Sequence, residues 1–508
     1  MEALLIFKLK TFLKASFMLL ALQFTSFATS YSQEIQPITE FTNSGNSFVV
    51  DVSADNNNNA VAVFVDSVEI FASYSANGGI WQTPVNISNN SLLNIESDVD
   101  MDESGTAIAI WRTFDSGTFA RDVRASIYSG GVWSLPVTID AVDIFEAPAV
   151  AMDGTGKGLG VWQQGFPVQE THVSFFSGGL WSLPANIGVH GTFYFPSYSS
   201  SGNASVVWVN FNTGIYANNF DGSVWQGQVT LDVNPSTPDA GIDDNGNTIA
   251  VWTSSDDVVY SRFFGGSWSV PQSISTGPNN VFPKIAVAFD GTAVATWTDG
   301  SLNVVFNTFN GTTWGVTPIT VAPGAQPTVS MDDQGNALIG YVSGLDIFAV
   351  LLPKNEVIGA PFLVATAPSV QDLAVDELGV ALSDNASTGF LVWEQEIFFG
   401  EFGSDSFGTS FIFAASPPSP PLSITGTVCK NHFAMQTDKI NILNFVPSTD
   451  PLVTAYYLRR NGKLIATIPQ TGPYVYYDHN RCKYKTTYEL TSVNAEDFES
   501  SPISVILN

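Results

Sequence analysis

Residues Pro283 to Ile319 read PKIAVAFDGTAVATWTDGSLNVVFNTFNGTTWGVTPI, and the order of parts in this stretch recurs along most of the 508-residue chain. An apolar run ends in Asp290, a tight turn carries Gly291, and a run of small residues ends in Trp297. A third alternating segment follows, then an Asn310-Gly311 turn, Trp314 and Pro318. Short alternating runs bounded by such turns mark antiparallel strands. Asp and Asn close their own backbone there, and Gly supplies φ > 0. One unit of this kind cannot bury its own apolar faces, so the repetition is itself the architecture.

The second segment of the unit aligns as AVAVF ending at Phe64, AIAIW at Trp111, GLGVW at Trp162, ASVVW at Trp208, TIAVW at Trp252, AVATW at Trp297, ALIGY at Tyr341 and FLVW at Trp393. Successive spacings are 47, 51, 46, 44, 45, 44 and 52 residues. That period suits a four-stranded unit and matches the blades of a propeller, and it is too long for one coil of a β-helix. First strands such as PAVAMD (148–153) carry small residues, second strands are apolar on both faces, and fourth strands such as WSLPVTI (133–139) open on Trp. Thin inner strands and bulky outer ones form a wedge. Proline in the fourth strand puts it at an outer edge, because proline donates nothing to a ladder. The expected fold is all-β: an eight-bladed β-propeller of four-stranded blades over residues 31–415. A seven-bladed ring is the alternative, at roughly 54 residues per blade. Ile35 to Thr39 resembles the end of a fourth strand and would complete the last blade.

The flanks read differently. Lys8, Lys10 and Lys14 precede the apolar run Ala15–Phe27 and an Ala28-Thr29-Ser30 cleavage pattern, so residues 1–30 are expected to be a signal peptide and the protein to be exported. The apolar run is short for a membrane span, and no later segment is long enough for one. Residues 416–421 (SPPSPP) form a stiff proline-rich spacer. From 422 to 508, alternating segments and an Asn461-Gly462 hairpin predict a small β-sandwich. The only two cysteines, Cys429 and Cys482, fall there, and in an exported chain they are expected to form a disulfide.

Charge narrows the partners. The chain carries −29 overall, and residues 31–416 hold 7 Lys/Arg against 39 Asp/Glu, a net of 7 − 39 = −32. Such a field repels nucleic acid and anionic surfaces, so nucleic acid is not an expected partner.

The C-terminal segment resembles a fibronectin type III domain through Thr454–Gly462, Tyr477-Asp478, Thr487–Asn494 and Glu499–Pro502, with Tyr488 in place of that family's late-strand core tyrosine. Asn444-Phe445 stands where the family has a buried Trp, and the cysteine pair is untypical. The resemblance implies spacing or adhesion work. The repeats FSGGLWSLP (176–184) and FFGGSWSVP (263–271) are similar to degenerate sialidase-type (BNR) repeats, although the Asp-box of those repeats is missing. That resemblance implies a propeller far more than an activity. The sialidase family grips a substrate carboxylate with three arginines from different blades. Here the propeller has only Arg112, Arg121, Arg124 and Arg262, and the first three share one unit.

Other chemistry finds little foothold. A glycosidase needs two placed carboxylates. Asp98, Asp100 and Asp102 share one strand face, but turn aspartates recurring at equivalent places have a structural explanation. The same trio followed by Gly105 only loosely resembles a calcium loop and lacks its Glu. His172, His190, His432 and His479 are scattered without zinc spacing, and no metal or cofactor is expected. Tryptophans repeated at one place in the unit are blade-to-blade packing before they are sugar platforms. Function is therefore sought where the repeats disagree: Arg112, Arg121 and Arg124 of the second unit, the aromatic cluster Phe193, Tyr194 and Tyr198, and the irregular eighth unit. The expectation is a non-enzymatic exported binding or interaction protein with a glycan or protein ligand held by propeller loops. The alternatives are a carbohydrate-active hydrolase of sialidase kind or a propeller lectin.

Overall fold

The computed structural model describes residues 32–42, 47–90, 92–141, 146–165, 168–354, 358–366, 375–383, 386–398, 402–414, 420–433, 436–448, 453–479, 485–493, 500 and 502–507. The chain divides into two compact units, one of them Gln33–Phe413. The protein is all-β, with strands and no α-helix among the described residues. The described residues of Gln33–Phe413 form eight antiparallel sheets of four or five strands, and in all but the last sheet the strands follow chain order.

The first strands of these sheets are Ser47–Ala54, Leu93–Met101, Ala149–Met152, Phe193–Tyr198, Asp239–Ile242, Val281–Val287, Ala325–Met331 and Val375–Leu382. Each touches the first strand of the next sheet, and Val375–Leu382 returns to Ser47–Ala54, so the inner strands close a ring. The unit is a β-propeller, and its sheets are numbered here as blades in that order. The last blade is finished by the other end of the chain. Ser32–Ile35 and Thr39–Glu40 both pair with Phe402–Ala414, in a register that sets Thr39 opposite Gly408 and Glu40 opposite Phe407. Val375–Leu382, within the irregular eighth unit, is the inner strand of this blade.

The core lies between blades. Val61, Val63 and Val65 of one second strand meet Val99 and Trp111 of blade 2, while Ala60, Ala62 and Phe64 of the same strand face Phe390 and Val392 of blade 8. A strand apolar on both faces is thus shared by two interfaces. Trp111, Trp162, Trp208, Trp252 and Trp297 are all fully buried, each against the preceding blade. At about 2–3 kcal/mol per large side chain removed from water, these wedges supply much of the cohesion of the ring.

Fourth strands are broken where the sequence predicted them continuous. Val132–Trp133 and Val137–Asp140 both pair with Arg121–Ser129, and the regular ladder is interrupted between them at Leu135-Pro136. Pro136 has no N–H to give. The Ser134 hydroxyl takes the place of the Ser134 carbonyl in the ladder, accepting from the Ile127 amide at 3.0 Å while that carbonyl accepts from the Ser126 hydroxyl at 2.7 Å, and Ser182 and Ser269 repeat the amide bond in blades 3 and 5.

The described C-terminal residues, 420–507, form a three-stranded and a four-stranded sheet whose side chains share one core, including Leu443 and Phe445 from the first and Tyr456, Tyr488 and Leu490 from the second. Tyr488 is fully buried. Its hydroxyl donates to Asp478 at 2.6 Å and accepts from Asn441 at 2.9 Å, and Arg460 closes the network on Asp478 at 2.9 Å. The expected signal peptide and the Cys429–Cys482 disulfide lie outside the described residues, because residues 1–31 and 480–484 are not among them. Most of the proline-rich spacer falls in 415–419, outside them too.

Candidate functional site

Two places on the ring gather polar and aromatic side chains: its axis and its rim. On the axis lies a cavity of about 400 Å³, walled by inner strands and the turns that follow them. Asp100, Asp153, Asp332, Asp333, Tyr198 and Asn56 give it an acidic, polar lining.

Asp100 and its neighbours along the inner strands are struts. The inner strand of each blade is a sheet edge whose amides need acceptors. Asp98 accepts from the Val150 amide and Asp100 from the Met152 amide, both at 2.7 Å, which ties blade 2 to blade 3. Asp239 ties blade 5 to blade 6 through the Ile285 amide at 2.8 Å, and Ser330 does the same between blades 7 and 8 through the Leu382 amide. Burial, and then the neighbouring Asp51, push Asp98 well above the usual carboxylate range. Burial lifts Asp100 to about 6, against the opposing pull of its hydrogen-bond donors.

The turn aspartates form a second set of ties between blades. Asp55, Asp102, Asp153, Asp243 and Asp332 are buried, and one oxygen of each accepts from the amides two and four residues ahead. The next blade's turn closes on this oxygen pair. A Cβ on Gly105 would stand 2.9 Å from Asp55, one on Gly291 would stand 2.8 Å from Asp243, and the Ala386 amide donates to Asp332 at 2.8 Å. Both glycines also have φ above +80°, which favours glycine on its own account. The Asp98, Asp100 and Asp102 trio is therefore two inter-blade struts and a turn closure.

The arginines of blade 2 do not all converge: Arg112 and Arg121 lie on one face of the sheet and Arg124 on the other. Arg112 forms an ion pair with Glu96 at 2.7 Å. Arg124 pairs with Asp122 at 3.3 Å. Arg121 lies 5.0 Å from the Phe114 ring centre. Arg112 sits opposite Val123 and Trp111 opposite Arg124 in the ladder, so Arg112 and Arg124 project from opposite faces of the sheet. The aromatic cluster is likewise divided. Phe193 is exposed and edge-on to Phe211 at 5.9 Å. Tyr194 is buried, its hydroxyl bonded to the Gly191 backbone, and burial holds its pKa above the ordinary tyrosine value. Tyr198 reaches the axial cavity and rests on Phe175 at 5.6 Å, its hydroxyl pushed up to about 12 by burial and Asp153.

The rim carries an arrangement that sequence reasoning passed over. In blades 1 to 6 the carbonyls of Tyr74, Ile127, Phe175, Asn219, Arg262 and Thr308 accept from the amide just after the fourth-strand Trp. This shared bond makes the six positions equivalent. Each of the first five faces the next blade at its outer end. Tyr74 lies 5.2 Å from Tyr128, which in turn contacts Trp133. Ile127 shares a cluster with Trp181. Phe175 lies 6.2 Å from Trp225, Asn219 accepts from Trp268 Nε1 at 2.9 Å, and Arg262 lies 5.1 Å from Phe309 beside Trp314. These tryptophans are half-buried, unlike the fully buried second-strand set. The result is a series of inter-blade clefts with one aromatic wall in common and one variable residue each. The signal was present in VVYSRFF (258–264), but only the bonded register shows which third-strand residue meets which tryptophan.

No family model matches the chain, and no curated protein matches it in sequence. Among solved structures it is similar to a Dyadobacter fermentans protein of unknown function, at 11% identity and TM-score 0.39 over 75% of this chain and 99% of that one. It is also similar to the Aleuria aurantia lectin, a six-bladed β-propeller with a fucose recognition mode, at 13% identity and TM-score 0.34 over 54% and 96% of the two chains. A third, NanB in complex with Optactamide, gives 13% identity and TM-score 0.34 over 73% and 70%. At these scores the likeness carries no argument about a ligand. The class rests on the chain's own ring of sheets, and it is that of a β-propeller.

Proposed function

We propose that this chain is a non-catalytic, exported carbohydrate-binding protein that holds glycans in the clefts at the rim of its propeller. The observation that carries the proposal is the series of half-buried tryptophans, Trp133, Trp181, Trp225, Trp268 and Trp314, each set against one variable side chain of the preceding blade. An indole face receives sugar C–H groups, and where the neighbouring residue is polar, as at Tyr74, Asn219 and Arg262, it supplies orientation, which is the usual composition of a small-ligand site. Commitment of Asp98, Asp100, Asp153 and Asp332 to backbone amides and the separation of Arg124 from Arg112 and Arg121 favour binding over turnover. The C-terminal unit, by its likeness to fibronectin type III domains, would space the ring from a surface.

A glycan array and a panel of fluorogenic glycosides applied to the purified protein test this. Glycan binding without turnover is expected, with tryptophan fluorescence changing on addition of ligand. Turnover that disappears on substitution of a single carboxylate would refute the non-catalytic reading, and an empty array would refute the carbohydrate.

A further inference from the structure

One rim cleft differs from the others in charge. Between blades 5 and 6, the strand Asp257–Phe264 presents Tyr260, Arg262 and Phe264 toward Phe309 and Trp314 of the next blade. The Arg262 guanidinium lies 4.7 Å from the Phe264 ring centre and 5.1 Å from that of Phe309, held between two aromatic rings. Tyr260 meets Trp314 edge-on at 5.5 Å. Phe264 is 61% exposed and forms the mouth.

Two N–H donors in this cleft lack acceptors. Arg262 Nε and Trp314 Nε1 are both out of contact with solvent, and neither has a hydrogen-bond partner among the described residues. Arg262 also has no carboxylate within ion-pair distance among them, whereas Arg112 and Arg124 each have one. One cleft earlier the same geometry is complete: Asn219, at the position equivalent to Arg262, accepts from Trp268 Nε1 at 2.9 Å. With Arg262 in that place Trp314 Nε1 has no such acceptor among the described residues, just as Trp181 Nε1 has none in the cleft of Ile127. Buried donors are costly unless an acceptor meets them, and a guanidinium stacked on rings keeps its planar edge open for an oxyanion. A lone cation in a region of net charge 7 − 39 = −32 also selects against long polyanions, which the surrounding field repels.

We infer that the cleft between blades 5 and 6 binds the carboxylate of a sugar bearing a single negative charge, of hexuronate type, with Arg262 and Trp314 as its donors and the surrounding rings as its apolar wall. This deepens the carbohydrate proposal above and rests on it for the sugar, while the oxyanion site rests on Arg262 and Trp314 alone.

The test uses the whole protein and four probes: glucuronate, its neutral isostere glucuronamide, and the pair benzoate and benzamide, titrated by calorimetry and tryptophan fluorescence. Glucuronate is expected to bind at least about tenfold more tightly than glucuronamide, as charge-assisted hydrogen bonds require. Arg262→Gln should erase that preference, and Trp314→Phe, which removes only the indole N–H and keeps the ring surface, should reduce it about threefold. The Trp314→Phe variant and the wild-type comparison of isosteres decide the matter even if Arg262→Gln does not fold. Equal binding of glucuronate and glucuronamide, or a preference that survives Arg262→Gln in a folded variant, overturns the inference and leaves the neutral-glycan proposal standing. Arg262-dependent binding of benzoate with no sugar bound would uphold the oxyanion site and sink the carbohydrate assignment.

Discussion

Asp100 offers the sharpest test of how the ring is held. Its carboxylate takes three donors, the Met152 amide at 2.7 Å, the Ser53 hydroxyl at 2.8 Å and the Met101 amide at 2.9 Å, yet burial lifts it from the ordinary 3.8 to about 6. A carboxyl whose folded pKa exceeds its unfolded value binds its proton more tightly in the native state. Between pH 3.8 and about 6 the folded protein keeps a proton that the unfolded chain has lost. Its contribution to stability is thus fully present below pH 3.8 and is lost as pH rises through about 6. A gap of that size corresponds to about 3 kcal/mol. The carboxyl borders the axial cavity, where solvent screens it, so a span of about 1–3 kcal/mol is expected. Urea unfolding of wild type and Asp100→Asn at pH 4 and pH 7, followed by tryptophan fluorescence, isolates the effect, because groups that titrate alike in both proteins cancel. The wild type should lose about 1–3 kcal/mol relative to the variant on going from pH 4 to pH 7. A stability difference that is the same at both values would refute burial as the dominant influence on this strut.

Three further outcomes follow from other contacts. Gly408→Ala would bring a Cβ to 2.4 Å from the Phe41 ring at the seam where the two chain ends meet, so it should cost about 1–3 kcal/mol and lower Tm; an unchanged Tm would mean the seam yields freely. Asp332→Ala strips acceptors from the amides of Gln334, Asn336 and Ala386 and should cost about 2–4 kcal/mol, with hydrogen exchange rising first at Ala386. Its counterpart Asp290 is exposed and bound to Thr292 and Lys354, so Asp290→Ala should stay within about 1 kcal/mol, and equal costs at the two sites would argue against the inter-blade role. Tyr488→Phe deprives Asp478 of a donor and Asn441 of an acceptor and should cost about 1–3 kcal/mol, visible as faster exchange confined to residues 420–507.

Much of the ring was legible because repetition supplies its own controls. Trp111, Trp162, Trp208, Trp252 and Trp297 stand at one place in successive units, and no single ligand could need them all, so their burial between blades was readable from spacing. The turn aspartates were legible for the same reason. Asp98 and Asp100 were not, because what they bind is the backbone amide of a residue 52 positions on, and an amide has no sequence signature. Arg112, Arg121 and Arg124 drew attention as a cluster in sequence, but strand alternation sends neighbouring side chains to opposite faces. Nearness along a strand was thus a poor guide to nearness in space. Arg262 does not stand out in the sequence, since Trp314 lies in the next unit and is matched to it only through the bonded register.

The variable rim position separates stability from ligand chemistry, and that separation can be measured. Tyr74, Ile127, Phe175, Asn219 and Arg262 occupy equivalent places against comparable aromatic walls. Packing alone does not choose between isoleucine and arginine there, and the Asn219 cleft shows which residue satisfies the indole N–H from within the chain. Arg262→Asn would transplant that solution into the next cleft, giving Trp314 Nε1 an acceptor and removing the unmet guanidinium donor. If Arg262 is kept for a ligand, its replacement should raise the stability of the unliganded protein by about 1 kcal/mol, the size of one hydrogen bond recovered, while abolishing any preference for carboxylate. Gains of this kind at the expense of activity are the usual mark of a binding residue. A fall in Tm for Arg262→Asn would show instead that the guanidinium, stacked between Phe264 and Phe309, serves the fold.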